Sequence, residues 1–308
     1  MNKLRISVVQ YLNTAPLVRG FTHGPLRGKY DLSFTVPSQC AEALRNNEAD
    51  VAIIPAIEYQ RIPGLVILPD LAIASKHRVR SLLIISKRQI HGAKRIALDR
   101  SSRSTQSLTR ILCDQLWKIS PEFFEAAPDL NAMLRDADAA MLIGDPALRF
   151  ALDAQRTATL GPDGSQVCTG TDVELPAFRE LHVYDVVEQW RLLTGLPAVL
   201  AVWAARPSVV TPELVEEFLA SRDFGLAQIE EIGREASAEL NLPADALARY
   251  LRENIDFALD KQNLEGLTTF YAQAARLGLT PRQHTVSIAA EPASRHKYID
   301  MFLGRSAR

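Results

Sequence analysis

The stretch DLSFTVPSQCAEALRNNEADVAIIP, residues 31–55, decides the fold of this 308-residue chain. Two short runs, Asp31 to Val36 and the fully apolar Val51 to Ile54, flank a helical stretch from Ser38 to Asn47. Alternation of strand and helix is typical of a parallel sheet that is covered by helices. We therefore predict a strand, a helix and a buried strand in this order.

The same alternation continues on both sides of this stretch. Before it, we predict a strand from Arg5 to Val9 and a helix from Thr14 to Phe21. After it, a second set has strands at Arg95 to Leu98, Glu122 to Ala126 and Ala139 to Ile143, and helices at Ser104 to Leu116 and Leu130 to Arg135. The fold class is α/β, with two lobes built on one plan and each sheet mixed but mainly parallel.

Two apolar strands are predicted to connect the lobes, Val79 to Ser86 outward and Ala198 to Ala204 on the return. A pair of crossing strands forms a hinge that closes around a ligand. We assign residues 1–86 and 200–308 to a discontinuous first lobe and 87–199 to the second. Beyond Pro207 we predict helices that pack on the first lobe: Pro212 to Leu219, Gly225 to Leu240, Ala244 to Leu259 and Leu264 to Leu277.

Composition excludes several classes of protein. With 47% hydrophobic and 23% charged residues, the chain is neither disordered nor collagen-like. Its 35 Lys and Arg nearly balance 36 Asp and Glu, so a nucleic-acid partner is not expected. Three distant cysteines and six histidines without a metal-binding motif predict reduced thiols and no metal. No apolar run suits a signal peptide or membrane span, which predicts a cytoplasmic protein.

Small and polar residues follow the predicted strands, where ligands bind in open α/β sheets. Helix starts at these positions bind anions through backbone N–H groups, so we expect a small carboxylate ligand. Helix capping alone also explains such residues when each is taken singly. The candidate ligand-site residues are Asn13, Thr14, Ser38, Pro55, Ser81, Ser101, Ser102, Ser104, Thr105, Gly144 and Asp145.

The familiar catalytic motifs are missing from the sequence. It has no Ser/His/Asp order, P-loop or GxGxxG, which removes the best support for hydrolases, kinases and dehydrogenases. Ser81 stands out because a lone serine within an apolar strand needs a hydrogen-bond partner when it is buried. On physical grounds, the chain is a two-lobed binder of a small anion, either an enzyme or not.

Several segments resemble the chorismate dehydratase family over nearly the whole chain. They are YLNTAPL (11–17), VAIIP (51–55), VRSLL (79–83), ALDRSSRS (97–104), LIGDPAL (142–148) and the segment from Tyr184-Asp185 to Leu196-Pro197. The resemblance implies a fold similar to type II periplasmic binding proteins. It also implies a carbon–oxygen lyase of menaquinone biosynthesis by the futalosine pathway, converting chorismate to 3-[(1-carboxyvinyl)oxy]benzoate and water without metal or organic cofactor.

The resemblance also implies roles for individual residues. Asn13 and Ser81 match polar positions on the reacting face, and Ser104 and Thr105 lie where a substrate carboxylate is held. Asp145 is one candidate proton acceptor, and the substrate's own enolpyruvyl carboxylate is the other and the favoured one. The sequence leaves open which of Ser101, Ser102, Ser104 and Thr105 contact the ligand, because related sequences vary around Gln106.

Two alternative functions stay open. A sister enzyme of the same pathway, the naphthoate synthase acting on cyclic dehypoxanthine futalosine, has the same fold but a catalytic His near the position of Asp145. A noncatalytic carboxylate-binding protein or ligand sensor is the other. The sequence determines neither the oligomeric state nor the degree of lobe closure.

Overall fold

The computed structural model describes residues 3–154, 159–161, 165–169, 180–281 and 284–290. Within these ranges the chain forms two β-sheets flanked by helices. The strands are β1 Arg5–Val9, β2 Asp31–Thr35, β3 Val51–Pro55, β4 Val66–Ser75, β5 Leu82–Ser86, β6 Arg95–Asp99, β7 Glu122–Ala126, β8 Ala139–Ile143, β9 Thr159–Leu160, β10 Gln166–Thr169, β11 Glu180–Asp185 and β12 Ala198–Ala205.

Helices cover both sheets, and short 3₁₀ turns such as Leu12–Thr14 and Ala56–Gln60 precede or join them. The α-helices are α1 Ala15–Thr22, α2 Pro37–Arg45, α3 Arg103–Gln115, α4 Leu130–Asp136, α5 Gly144–Ala154, α6 Val186–Thr194, α7 Pro212–Leu226, α8 Ile229–Leu240, α9 Ala244–Glu253 and α10 Lys261–Arg276. No helix among the described residues is long and apolar enough to cross a bilayer.

The first sheet has the order β2-β1-β3-β12-β4, and the second has the order β7-β6-β8-β5-β11-β10-β9. Each contains a parallel core in which one strand lies between the two that follow it in the chain, β2-β1-β3 and β7-β6-β8. The remaining strands pair antiparallel, so the predicted parallel pairing holds only for these cores. The two sheets therefore share one arrangement of their parallel strands.

The α/β class is confirmed, and strands β1, β7 and β8 have the predicted bounds. The sequence analysis did not predict strand β4, because Pro69 and Asp70 interrupt its apolar pattern. In the structure the strand continues through this point, where Asp70 has a left-handed φ of 53°. The predicted helix from Ala244 ends at Glu253, because the chain then extends and Asp256 bridges to Ala74.

The outward connection between the lobes differs from the prediction. Strand β5 begins at Leu82, not at Val79, and it pairs with β8 and β11 of the second sheet. The predicted lobe boundary at residue 86 therefore needs correction, because β5 belongs to the second sheet and the crossing lies before it. The division into lobes otherwise stays a prediction, and residues 291–308 of its first lobe lie outside the described residues.

A buried carboxylate fixes this crossing. Asp185 caps α6 by accepting hydrogen bonds from the backbone N–H groups of Val187 (3.0 Å) and Glu188 (3.2 Å). It also accepts from the N–H groups of Val79 (3.1 Å) and Arg80 (2.6 Å). Burial raises the pKa of Asp185, and these backbone donors oppose that shift. The carboxylate thus holds Arg80 in its left-handed conformation, at φ 64°.

We expect Asp185→Asn to lower the free energy of unfolding by about 3 kcal/mol, because the amide group faces backbone donors and leaves them unpaired. Urea denaturation followed by circular dichroism measures the change. The matched control is Asp129→Asn, which alters an exposed cap with one side-chain hydrogen bond, at Ala132 N. Since Asn caps helices as well as Asp, the control should cost less than about 0.5 kcal/mol. Equal losses in both variants would contradict the assignment.

Candidate functional site

A small cavity lies between the two sheets, at the carboxyl ends of β1, β3 and β8. Its volume is about 40 Å³. Five of the residues proposed from the sequence line it, together with Tyr11 and an apolar wall that includes Leu82, Ile143 and Leu200. The five are Asn13, Pro55, Ser102, Thr105 and Gly144. The cavity therefore combines polar groups on one part of its wall with a surface that suits a ring.

Helix α3 begins at this cavity. Ser102 is its N-cap, with its Oγ accepting from Thr105 N at 3.4 Å and lying 2.8 Å from Thr105 Oγ1. Both side chains are buried and line the cavity. A helix N-terminus presents unpaired N–H groups and a partial positive charge. This end of the cavity is suited to a carboxylate.

Gly144, the first residue of α5, allows the loop that follows β1 to pack against it. Its φ is 68°, and a Cβ at this position would lie 2.8 Å from the ring of Tyr11. Its N–H donates to the carbonyl of Ser81 at 2.8 Å. A residue with a side chain would be strained here and would displace Tyr11, so glycine is required.

The hydroxyl of Tyr11 ends a chain of hydrogen bonds. Asp99 Oδ1 accepts from both the N–H (2.9 Å) and the Oγ (2.6 Å) of Ser101. Since that serine has one hydroxyl hydrogen, Tyr11 donates to Ser101 Oγ across 3.4 Å. Burial raises the pKa of Asp99, and the hydrogen bonds from Ser101 oppose it. Tyr11 is thereby held with its ring against the cavity.

Ser81 lies at the crossing between the lobes and is 1% exposed. The hydroxyl of Tyr250, on α9, donates to Ser81 Oγ at 2.8 Å. Asn13 also contacts the Tyr250 phenol through its side chain, and its Oδ1 accepts from Thr14 Oγ1 at 3.4 Å. Asn13 and Ser81 are therefore joined through one tyrosine.

Other candidates hold the lobes together. Ser38 donates its N–H to the carbonyl of Ser101 at 3.1 Å, and Ser104 Oγ accepts from Ile57 N at 3.2 Å. Beside them, Arg103 reaches Glu42 at 2.6 Å and the fully buried Glu58 at 3.1 Å. These contacts cross the cleft, so they keep the cavity closed.

Asp145 lies away from the cavity lining. Its side chain lines two outer grooves of about 380 and 460 Å³, which both also contain Leu240. Its Oδ1 accepts from Leu12 N at 3.2 Å. Burial raises the pKa of Asp145 to about 6, with the hydrogen bond from Leu12 acting in the opposite direction. The carboxylate stabilises the Leu12–Thr14 turn from outside the cavity.

The structure thus places some of the predicted residues on the cavity wall and others around it. Outside the lining are Thr14, Ser38, Ser81, Ser101, Ser104 and Asp145. Sequence reasoning missed Tyr11 and Asp99 as site residues although both lie within motifs that it singled out. It had no signal for Tyr250, whose contact depends on how α9 packs.

No group of three or more His, Cys, Asp or Glu side chains is arranged to hold a metal ion within the described ranges.

Comparison with known proteins gives a match over most of the chain. Residues 4–276 match a family model described as "Menaquinone biosynthesis". A curated protein of Thermus thermophilus named chorismate dehydratase is 28% identical over 280 residues, which cover 90% of this chain and 96% of that protein.

Solved structures resemble the chain in fold. Protein AF1704 from Archaeoglobus fulgidus has a TM-score of 0.66 and 21% identity, covering 90% of this chain and 98% of that one. The alkanesulfonate-binding protein SsuA from Xanthomonas axonopodis pv. citri has a TM-score of 0.59 and 15% identity, covering 94% and 99%. These similarities confirm the predicted periplasmic-binding-protein-like fold.

Proposed function

The chain belongs to the menaquinone biosynthesis family, and from that premise we propose that it is a chorismate dehydratase, a carbon–oxygen lyase. The observation that carries the proposal is the small cavity between the sheets, where a helix N-terminus, Asn13 and an apolar wall converge. Chorismate, a dicarboxylate with a six-membered ring, fits this combination of groups. A cytoplasmic location and the lack of an organic cofactor or metal are part of the same proposal.

The proposed reaction is a 1,2-elimination. The C3 proton leaves, its bonding electrons form the C3–C4 double bond, and the C4 hydroxyl departs and becomes water. The ring becomes aromatic and the enolpyruvyl ether remains, giving 3-[(1-carboxyvinyl)oxy]benzoate. Because aromatisation drives the reaction, the protein chiefly orients the substrate, excludes water and assists the two departures.

The geometry supports a division of roles. Asn13, on the cavity wall, and Ser81, which lies outside the lining but directly precedes the wall residue Leu82, are proposed to supply hydrogen bonds to the departing hydroxyl. The α3 N-terminus holds a carboxylate through Ser102 and Thr105, whereas Ser104 lies off the cavity wall and contacts Ile57. Each hydrogen bond to a charged group contributes about 1.5–3 kcal/mol, which is enough to fix the substrate's orientation.

The proton acceptor in this proposal is the substrate's own enolpyruvyl carboxylate. It lies close to the C3 hydrogen and needs no protein base. Asp145 is disfavoured since it lines the outer grooves and not the cavity.

Binding requires the lobes to separate. The cavity volume of about 40 Å³ is far below the ~300 Å³ or more of ordinary ligand pockets. The contacts of Arg103 with Glu42 and Glu58, which cross the cleft, therefore break or shift when the substrate binds.

The direct test is to incubate the purified protein with chorismate and follow products by liquid chromatography with mass detection. We expect a product lighter by one water, with aromatic absorbance. Unchanged chorismate with turnover of cyclic dehypoxanthine futalosine would indicate the sister naphthoate synthase. Binding of chorismate without turnover would indicate a noncatalytic binding protein.

Ser81→Ala should lower kcat about 100-fold, the scale of losing a preorganised donor where charge develops. Steady-state kinetics on chorismate measure the change. The matched control is Ser86→Ala, at the C-terminal end of β5, where a buried hydroxyl donates to Asp138 O at 3.4 Å. We expect the control to keep its kcat. A Ser81→Ala enzyme as fast as the wild type would assign Ser81 a structural role.

Asp145→Asn should leave kcat within about threefold of the wild type, because the substrate and not Asp145 accepts the proton. A loss of several orders of magnitude, measured in the same assay, would make Asp145 the base and overturn substrate assistance.

A stability measurement shows that the Asp145→Asn variant has folded as intended. The pKa rises from 3.8 to about 6 on folding, so the carboxylate's contribution to stability decreases as pH increases through this range. Above pH 6 the full penalty is present, and the neutral amide removes it. We expect the variant to gain about 3 kcal/mol over the wild type at pH 8, with the gap closing toward pH 4.

A further inference from the structure

Tyr250 belongs to a part of the chain in which the sequence has no recognisable motif. It lies on α9, and its side chain is 2% exposed. Its hydroxyl reaches Ser81 Oγ at 2.8 Å, over a sequence separation of 169 residues. The contact therefore joins the C-terminal helices to the crossing that leads into the second sheet.

The direction of this hydrogen bond determines what Ser81 is able to do. A serine hydroxyl has one hydrogen to donate and two lone pairs that accept. Tyr250 occupies one lone pair of Ser81 Oγ as donor, which leaves the serine's hydrogen free for another acceptor. Since Ser81 is 1% exposed, water does not readily replace Tyr250 in this contact.

Tyr250 is suited to act as a permanent donor. Burial raises the pKa of its phenol, and the side chains of Ser81 and Asn13 oppose the shift. The phenol stays protonated over the whole range in which proteins are assayed. The Asn13 side chain, which lines the cavity, also acts on the pKa of this phenol. Tyr250 therefore lies beside both polar residues that the proposed mechanism places at the departing hydroxyl.

We propose that Tyr250 is a positioning residue that directs the hydroxyl hydrogen of Ser81 toward the substrate. The inference rests on the proposed elimination of water from chorismate. Donation from the phenol also polarises the Ser81 O–H bond, because hydrogen bonds in a chain strengthen one another in a medium of low dielectric constant. Tyr250 itself contacts Ser81 and acts on the reaction through it.

The test is Tyr250→Phe, which keeps the ring and removes the hydroxyl. We expect kcat for chorismate to fall about 10-fold or more, with KM within about twofold, because the interaction is strongest in the transition state. A structural role alone would change the melting temperature and leave kcat as it is.

A double-mutant cycle shows whether Tyr250 acts through Ser81. In a Ser81→Ala background, Tyr250→Phe should cause less than about a twofold further loss, since the serine hydroxyl that it orients is already absent. The matched control is Tyr30→Phe, which removes a buried tyrosine hydroxyl that donates to Glu217, away from the cavity. The control should keep its kcat.

Three results would overturn the inference. With an active wild type, an unchanged kcat in Tyr250→Phe or fully additive losses in the double mutant would refute the positioning role and leave the proposed function intact. A wild type that does not convert chorismate would overturn the proposed function and this inference with it. The wild-type assay therefore separates the two failures.

Discussion

The carboxylate of Asp185 is the interaction on which the arrangement of the site depends. It accepts hydrogen bonds from four backbone N–H groups, two on the crossing between the lobes and two in the first turn of α6. A buried charge is stable only with such partners. Because the crossing is fixed at Val79 and Arg80, the next residue, Ser81, has a fixed position relative to both lobes.

Hydrogen bonds of the Ser81 backbone and hydroxyl link the crossing to the cavity. Its carbonyl accepts from Gly144 N, and the missing side chain of that glycine gives Tyr11 room to pack. Its hydroxyl accepts from Tyr250. A short series of hydrogen bonds thus joins the crossing, the start of α5 and α9.

Local pattern was enough to predict the parallel cores, since short apolar strands and intervening helices determine them. Pairing beyond the cores was not predictable: β5 has an apolar sequence that fits either sheet, and its partners depend on where Asp185 holds the chain. The sequence was enough to place Asn13, Ser102 and Thr105 after the ends of strands, because this placement depends only on neighbouring residues. It placed Asp145 by the same rule, yet that side chain accepts a hydrogen bond from Leu12 N and does not line the cavity. The contact of Tyr250 with Ser81 was not predictable from the sequence, because it depends on how α9 packs.

In the proposed function the substrate lies between the two sheets, and its elimination of water needs little beyond binding in the right orientation. The reaction gains aromaticity, and its proposed base belongs to the substrate. Hydroxyl and amide groups held in a closed cavity therefore suffice, provided that each hydrogen points the right way. A serine hydroxyl rotates freely unless a neighbour fixes it. On this argument, what distinguishes a catalyst from a simple binder in this chain is the orientation of Ser81, which a donor from the distant helix α9 determines.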